Sequence, residues 1–358
     1  MTDPVCYARE TWVKAQLVEE GDSKISCLAR KIFFYLSAVF FALVALLTTL
    51  PGVALRGAAS YLQETPYCTE VVGSGKQLPS DGAFTLLSWN ICCIGAGYSI
   101  TDGDVVPWQE DRLNKIADKI IEKNADVNCL YEVFDWKAAC QLKEKLKGAG
   151  YTHFYYNIGA RGIGASSGIM VASKYAMDQP AFTPFPQETL VGRTQYCSKG
   201  VLSFDLQSRG RSFARLFATH LQHSELPESP TPDEVQGRVR QMQLIVDQVD
   251  QVRDRCVILT GDLNLDDAEY AASAWHALFE RGNQIEKTWR GDRFCANLVG
   301  KPESKALNLD YTLARLGTAQ TIHHSIVETG YDPAVYRPEA LSDHLGILTE
   351  VQLIQNER

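Results

Sequence analysis

The chain has 358 residues, 45% of them hydrophobic, with 35 Lys and Arg set against 43 Asp and Glu for a formal charge of −8. That length accommodates one large domain and an appendage. The acidic balance argues against a protein that holds nucleic acid by neutralising phosphates with a basic face. Ten cysteines include the adjacent Cys92 and Cys93 but form no Cys-x-x-Cys pair and no zinc-like Cys/His spacing. They read mostly as buried free thiols.

Residues 1–31 are mostly polar. From Ile32 to Leu55 no residue is charged, and Ile32–Leu50 (IFFYLSAVFFALVALLTTL) is long enough as a helix to cross about 30 Å of hydrocarbon. The polar residues ahead of it set it apart from a cleaved signal peptide, whose apolar stretch starts close to the N-terminus. A single transmembrane helix over 32–55 is therefore expected, anchoring the protein in a membrane. Lys24, Arg30 and Lys31 precede it and Arg56 follows. The positive-inside tendency then puts the N-terminus in the cytoplasm, but one or two charges decide it, so the side taken by the rest stays open. Pro51-Gly52 is expected to end or kink the helix. Residues 56–83, with Pro66, Gly73, Gly75, Pro79 and Gly82, read as a linker, and 84–358 as the folded domain.

From Phe84 onward short apolar runs alternate with helical patterns. FTLLSWNI is followed by a helix around Asp111–Lys123, DVNCLYEVF, and a helix around Trp136–Gly148. Then come SSGIMVAS, KGVLSFDL, SFARLFATHL, a long helix around Asp233–Val252, CVILTGDLN, LDYTLARL and LGILTEVQL. Strands this rich in Val, Ile, Leu and Phe belong to sheets covered on more than one side. Strands outnumber helices, which predicts a layered α/β domain with two sheets.

Polar residues with chemical potential fall at the strand ends, where side chains meet in a cleft above a rigid sheet. Asn90 ends the first strand and Glu132 the next. Asp262 and Asn264 terminate CVILTGDLN and, on an extended strand, would point to the same side. His220 closes SFARLFATH, Asp310 sits in LNLDYTL, and Asp343-His344 begins the last strand. Singly, each has a plainer reading: a solvated loop acid for Glu132, a turn former for Asn90, a hydrogen-bonded structural histidine for His220, a cap for Ser-Asp-His. Together, carboxylates and carboxamides without thiolates suit a hard cation such as Mg²⁺, with Mn²⁺ as the alternative. Two histidines beside acids supply groups that exchange protons near neutral pH. The set fits metal-assisted phosphoester hydrolysis.

The ordered motifs LSWNI, LYEVFD, ATHLQH, TGDLNLD, LDYTL and LSDHLGI resemble the endonuclease/exonuclease/phosphatase superfamily over essentially all of Phe84–Leu353. That resemblance implies an α/β fold, a four-layer sandwich of two packed β-sheets flanked by helices. It also implies roles. Glu132 would be the principal Mg²⁺ ligand, with Asn90 and Asp343 on the metal side. His344 would be the general base, oriented by Asp310. Asp262 would position the nucleophile, Asn264 would bind the phosphate, and His220 would stabilise the phosphoryl group or aid the leaving group.

Within the superfamily the chain looks most like neutral sphingomyelinases, through LYEVFD, GIMVASKY, CSKGVLSFDL, THLQ and VRQMQLIVDQV. There Lys199 would sit beside the substrate phosphate. Those enzymes often carry an Asp five residues ahead of that lysine, where this chain has Thr194. The implied activity is hydrolysis of a phospholipid, sphingomyelin, to ceramide and phosphocholine at a membrane surface. A metal-dependent nuclease and an inositol-polyphosphate phosphatase are the competing readings. The second would want several cations around the cleft, for which Arg161, Arg193, Lys199, Arg290 and Arg293 are the candidates.

Overall fold

The structure, a computed structural model, describes residues 24–94, 110–159, 165–292, 304–329 and 340–354, with a few positions ahead of residue 24. It divides into an N-terminal unit reaching Glu64 and a second unit that holds the described residues from Thr65 onward.

The N-terminal unit is dominated by α1 (Lys24–Leu62), within which Ile25–Ala59 is long and apolar enough to cross a membrane. Many of its large apolar side chains, among them Phe33, Leu36, Phe40, Leu43 and Leu47, are exposed. The helix begins before and ends after the expected 32–55 span, and it continues through Pro51 rather than stopping there. Pro51 removes one backbone donor, but Ala- and Leu-rich sequence on both sides outweighs that loss. The Thr48 and Thr49 hydroxyls turn back onto the carbonyls of Val44 and Ala45 at 2.8 and 2.6 Å, so neither is left unpaired among apolar neighbours.

In the second unit the strands run β1 (Cys68–Val71), β2 (Ala83–Asn90), β3 (Val127–Tyr131), β4 (His153–Tyr156), β5 (Met170–Ser173), β6 (Ala176–Pro184), β7 (Gly200–Ser208) and β8 (Arg211–His220). They continue with β9 (Cys256–Asp262), β10 (Phe279–Glu280), β11 (Trp289–Arg290), β12 (Ala306–Leu307), β13 (Asp310–Arg315), β14 (Ala319–Val327) and β15 (Gly346–Leu353). One sheet has the order β1-β4-β5-β3-β2-β15-β14 and the other β10-β13-β9-β8-β7-β6, with β11 and β12 forming a small pair of their own. The helices are α2 (Glu110–Lys123), α3 (Trp136–Gly148), α4 (Pro232–Val249) and α5 (Asp267–Ala272).

Side-chain alternation along each central strand separates three apolar layers. Leu86, Val127, Cys129, Leu202, Phe204, Leu216 and Ile258 meet between the two sheets. Their neighbours Leu87, Trp89 and Leu130 face Leu113, Ile116, Ile120, Leu142 and Leu146 of α2 and α3. Val201, Phe217, Val257 and Leu259 face Met242, Ile245 and Val246 of α4. The result is the expected α/β/β/α sandwich: each sheet is apolar on both faces, so each must be covered twice.

The segment expected to be linker contributes β1, which pairs antiparallel with β4 from Cys68↔Tyr156 to Val71↔His153. Only four residues long and alternating in exposure, this edge strand gave little signal among the surrounding Gly and Pro. The eight cysteines among the described residues are all free thiols, six of them buried.

Candidate active site

Parallel pairing brings the business ends of the strands to one edge. β2 and β3 run parallel, as do β8 and β9, so Asn90, Glu132, His220 and Asp262 all emerge at C-terminal strand ends. The register sets His220 opposite Asp262, and Asp310 opposite Asp262 from the other side. Asp343 and His344 lie in the turn ahead of β15, joined to the rest by an isolated antiparallel bridge between His344 and Trp289. They precede the last strand rather than begin it, because β15 starts only at Gly346.

The polar contacts converge on Asp262. Its Oδ2 accepts a hydrogen bond from the Asn90 amide at 2.9 Å and lies 3.5 Å from His220 Nε2 and 3.8 Å from His344 Nε2. His344 Nδ1 meets Asp310 Oδ2 at 2.7 Å, which assigns the ring proton to Nδ1 and turns Nε2 toward the cleft. Asp262, Asp310 and His344 each offer a ligand atom within 4.8 Å of the others. Lys199 is buried with its Nζ donating to the Leu221 carbonyl at 2.6 Å.

Three residues with φ in the left-handed region cluster here: Cys92 at 48°, Glu132 at 60° and Asn264 at 51°. Non-glycine residues seldom adopt this conformation, and such strain is typical of functional sites. The strand ends at Asp262, so Asn264 reaches the cleft through a turn rather than by strand alternation. Its N–H donates to Asp262 Oδ1 at 3.0 Å, a local side-chain-to-backbone bond that Asp supplies readily. Asn90 does the same for Cys92, whose N–H it accepts at 3.0 Å.

The electrostatics differ from group to group. Burial, with Asp310 close by, pushes Asp262 up to about 7, against the pull of His344, Asn90 and Lys199. Burial would lower His344, but the carboxylates of Asp310, Asp262 and Asp343 outweigh it and hold the imidazole well above its ordinary value. For His220, burial first and then the nearby Lys199 hold the ring well below its ordinary value, so it is neutral. Burial drops Lys199 to about 8 despite Cys197, Asp262 and Glu132. Glu132 is raised by desolvation and by the Asp343 carboxylate, the pattern of two acids sharing a site that a cation would satisfy.

Among the described residues, both ring nitrogens of His220 and Oδ1 of Asp310 are buried without a hydrogen-bond partner, which leaves them available to a ligand. The oxygen donors of Glu132 and Asp343, with Asn90 beside them and no thiolate among the group, fit Mg²⁺ or Mn²⁺. The structure brings the expected residues Asn90, Glu132, Lys199, His220, Asp262, Asn264, Asp310, Asp343 and His344 into one polar cluster. Thr194 is buried beside it, its hydroxyl 2.8 Å from His223 Nδ1 and accepting from the Gln222 amide at 3.1 Å. Of the candidate extra cations, Arg290 is ion-paired with Asp292 and Glu286, and Arg193 lies 3.8 Å from Glu225. Arg161 and Arg293 lie outside the described residues.

The sequence did not disclose the scaffolding. Buried Arg112 on α2 donates to the carbonyls of Ile91, Cys92 and Leu341 at 3.0, 2.7 and 2.6 Å, tying the loop after β2 to the turn that carries His344. Ser342 Oγ donates to the Asn90 carbonyl and accepts from the His344 N–H, while Trp89 Nε1 donates to the His344 carbonyl at 3.0 Å. The serine inside LSDHLGI was the one available signal.

Among curated proteins none matches this sequence significantly. Among solved structures, sphingomyelinase C from Streptomyces griseocarneus aligns with a TM-score of 0.60 at 22% identity, covering 75% of this chain and 99% of its own. A double mutant of the β-toxin from Staphylococcus aureus with bound magnesium ions aligns with a TM-score of 0.61 at 22% identity, covering 74% and 98%. Truncated Caenorhabditis elegans TDP2 gives 0.54 at 19%, covering 75% and 97%. These likenesses establish the fold. Residues 87–344 match the sequence model of the endonuclease/exonuclease/phosphatase family, and the chain belongs to that family.

Proposed function

We infer that this protein is a Mg²⁺-dependent phosphodiesterase that hydrolyses a phospholipid at a membrane surface, with sphingomyelin as substrate and ceramide and phosphocholine as products. The observation that carries the reading is the His344–Asp310 pair at 2.7 Å, facing Asp262 and an unpartnered buried His220 in one cleft. The choice of lipid is supported by the sphingomyelinases among the structural matches and by the apolar α1, which would keep the enzyme at its substrate surface.

Asp310 holds His344 so that Nε2, in the neutral form of the ring, accepts a proton from the attacking water, which Asp262 orients through Oδ2, the oxygen facing His344. The water oxygen bonds to phosphorus as the bond to the lipid alcohol oxygen breaks, and that oxygen leaves as the ceramide hydroxyl after taking up a proton from solvent. Lys199 and the Asn264 amide hold the non-bridging oxygens. Neutral His220 presents an N–H to the phosphoryl group, a fixed donor of the kind that stabilises developing charge. Glu132, Asn90 and Asp343 would hold Mg²⁺, which supplies charge neutralisation at the phosphate. Arg290 is already committed to two acids, which counts against a substrate bearing several phosphates.

The test is release of phosphocholine from sphingomyelin in mixed detergent micelles by the full chain, with Mg²⁺ or EDTA, and with His344→Ala as control. Mg²⁺-dependent release lost in the variant supports the reading. No release, with Mg²⁺-dependent cleavage of DNA, RNA or an inositol polyphosphate instead, replaces the substrate and leaves the site standing.

A further inference from the structure

Asp310 and His344 are carried by different sheets: Asp310 opens β13 in the sheet of β9, and His344 lies in the turn leading into β15 of the sheet of β2. Their 2.7 Å hydrogen bond therefore spans the seam between two layers, where small sliding of one sheet over the other would separate them. Three consecutive residues bridge that seam. The Thr288 hydroxyl is fully buried and accepts the N–H groups of Leu309 and Asp310, both at 3.1 Å. The Thr288 carbonyl accepts from Leu345 N–H at 2.7 Å, Trp289 makes the bridge to His344, and Arg290 N–H donates to the Asp343 carbonyl at 2.9 Å.

We propose that Thr288 is a positioning residue for the acid–base pair, its hydroxyl setting Asp310 and its main chain setting the turn of His344. A threonine oxygen has two acceptor sites, and here both are used on adjacent amides. Valine matches the shape without these acceptor sites, while serine keeps them. The inference rests on the assignment of His344 and Asp310 as the acid–base pair and does not depend on the lipid headgroup.

The experiment is steady-state kinetics of the full chain in detergent with Mg²⁺ and bis(p-nitrophenyl) phosphate as a headgroup-independent phosphodiester. Thr288→Val is expected to lower kcat by about 10- to 100-fold, the usual range for groups that orient a reacting residue, with KM within about two-fold. Thr288→Ser is expected to restore most of kcat. In an Asp310→Asn background, Thr288→Val should cost less than about three-fold, because the group it positions is already disabled. The proposal is overturned if Thr288→Val is as active as the parent, or if it costs the same factor in both backgrounds. If Thr288→Val does not fold, Thr288→Cys, whose sulfur is a weak acceptor, takes its place, and unchanged kcat there also overturns the proposal. An Asp310→Asn enzyme with undiminished kcat sinks the acid–base assignment itself, a different signature from either.

Discussion

Lys199 combines two demands that pull against each other. In the proposed role it must be cationic to hold a phosphate, yet it is buried and shifted down to about 8. A lysine whose folded value lies below its unfolded value is a stability cost that is fully present below about pH 8. The cost fades as pH rises from 8 toward 10.5, because there the unfolded chain binds the extra proton. Lys199→Met is thus expected to raise unfolding free energy at pH 7 by about 1–3 kcal/mol, with the gain shrinking by pH 10, while activity falls. Urea denaturation at the two pH values checks this, and a variant no more stable than the parent at pH 7 rejects it. Glu132→Gln should weaken the apparent Mg²⁺ affinity by about 10- to 100-fold, read from the Mg²⁺ dependence of the rate, with activity partly recovered at high Mg²⁺.

At the scale of elements, the site depends on close contact between β8 and β9. A Cβ on Gly261, one residue before Asp262, would come within 2.0 Å of the Thr219 carbonyl oxygen, one residue before His220. Only glycine lets the two strands lie this close, with His220 and Asp262 in register. Gly261→Ala is expected to cost about 3 kcal/mol, the upper end for overpacking, and to lower activity further than stability alone explains. α4 is started by a capping box in which Thr231 and Glu234 satisfy each other's backbone N–H groups. Thr231→Ala should lower stability by about 1 kcal/mol with kcat unchanged, since the helix lies on the outer face of its sheet; thermal melts and initial rates separate the two effects.

For the whole molecule, the question is what an apolar helix adds to a hydrolase. α1 is expected to hold the chain in membranes against high salt and alkaline carbonate. Leu43→Arg together with Leu47→Arg should release it, since each charge near a helix centre costs about 2.5–3.5 kcal/mol on insertion. Sedimentation with membranes gives the answer. The same double variant should still hydrolyse bis(p-nitrophenyl) phosphate. If it stays membrane-bound after carbonate, the anchor lies elsewhere.

The sequence by itself determined the layered α/β class, and its strand-end polar residues together with the family resemblance pointed to the nine residues proposed for the site. Apolar alternation dictates sheets covered on both faces, and polar residues at strand ends have only a cleft in which to meet. It could not show how Asn264 arrives, because the turn that carries it depends on one backbone bond to Asp262 and a left-handed φ. Nor could it show Arg112, Ser342 and Thr288, whose roles come from carbonyls and amides brought to them by distant segments. The edge strand β1 stayed hidden because four residues carry too short a pattern, and the path of α1 through Pro51 because one lost hydrogen bond is a small term beside a long apolar helix. What only the tertiary structure decided is the seam: Asp310 and His344 come from different sheets, and long-range packing sets their distance where local sequence cannot.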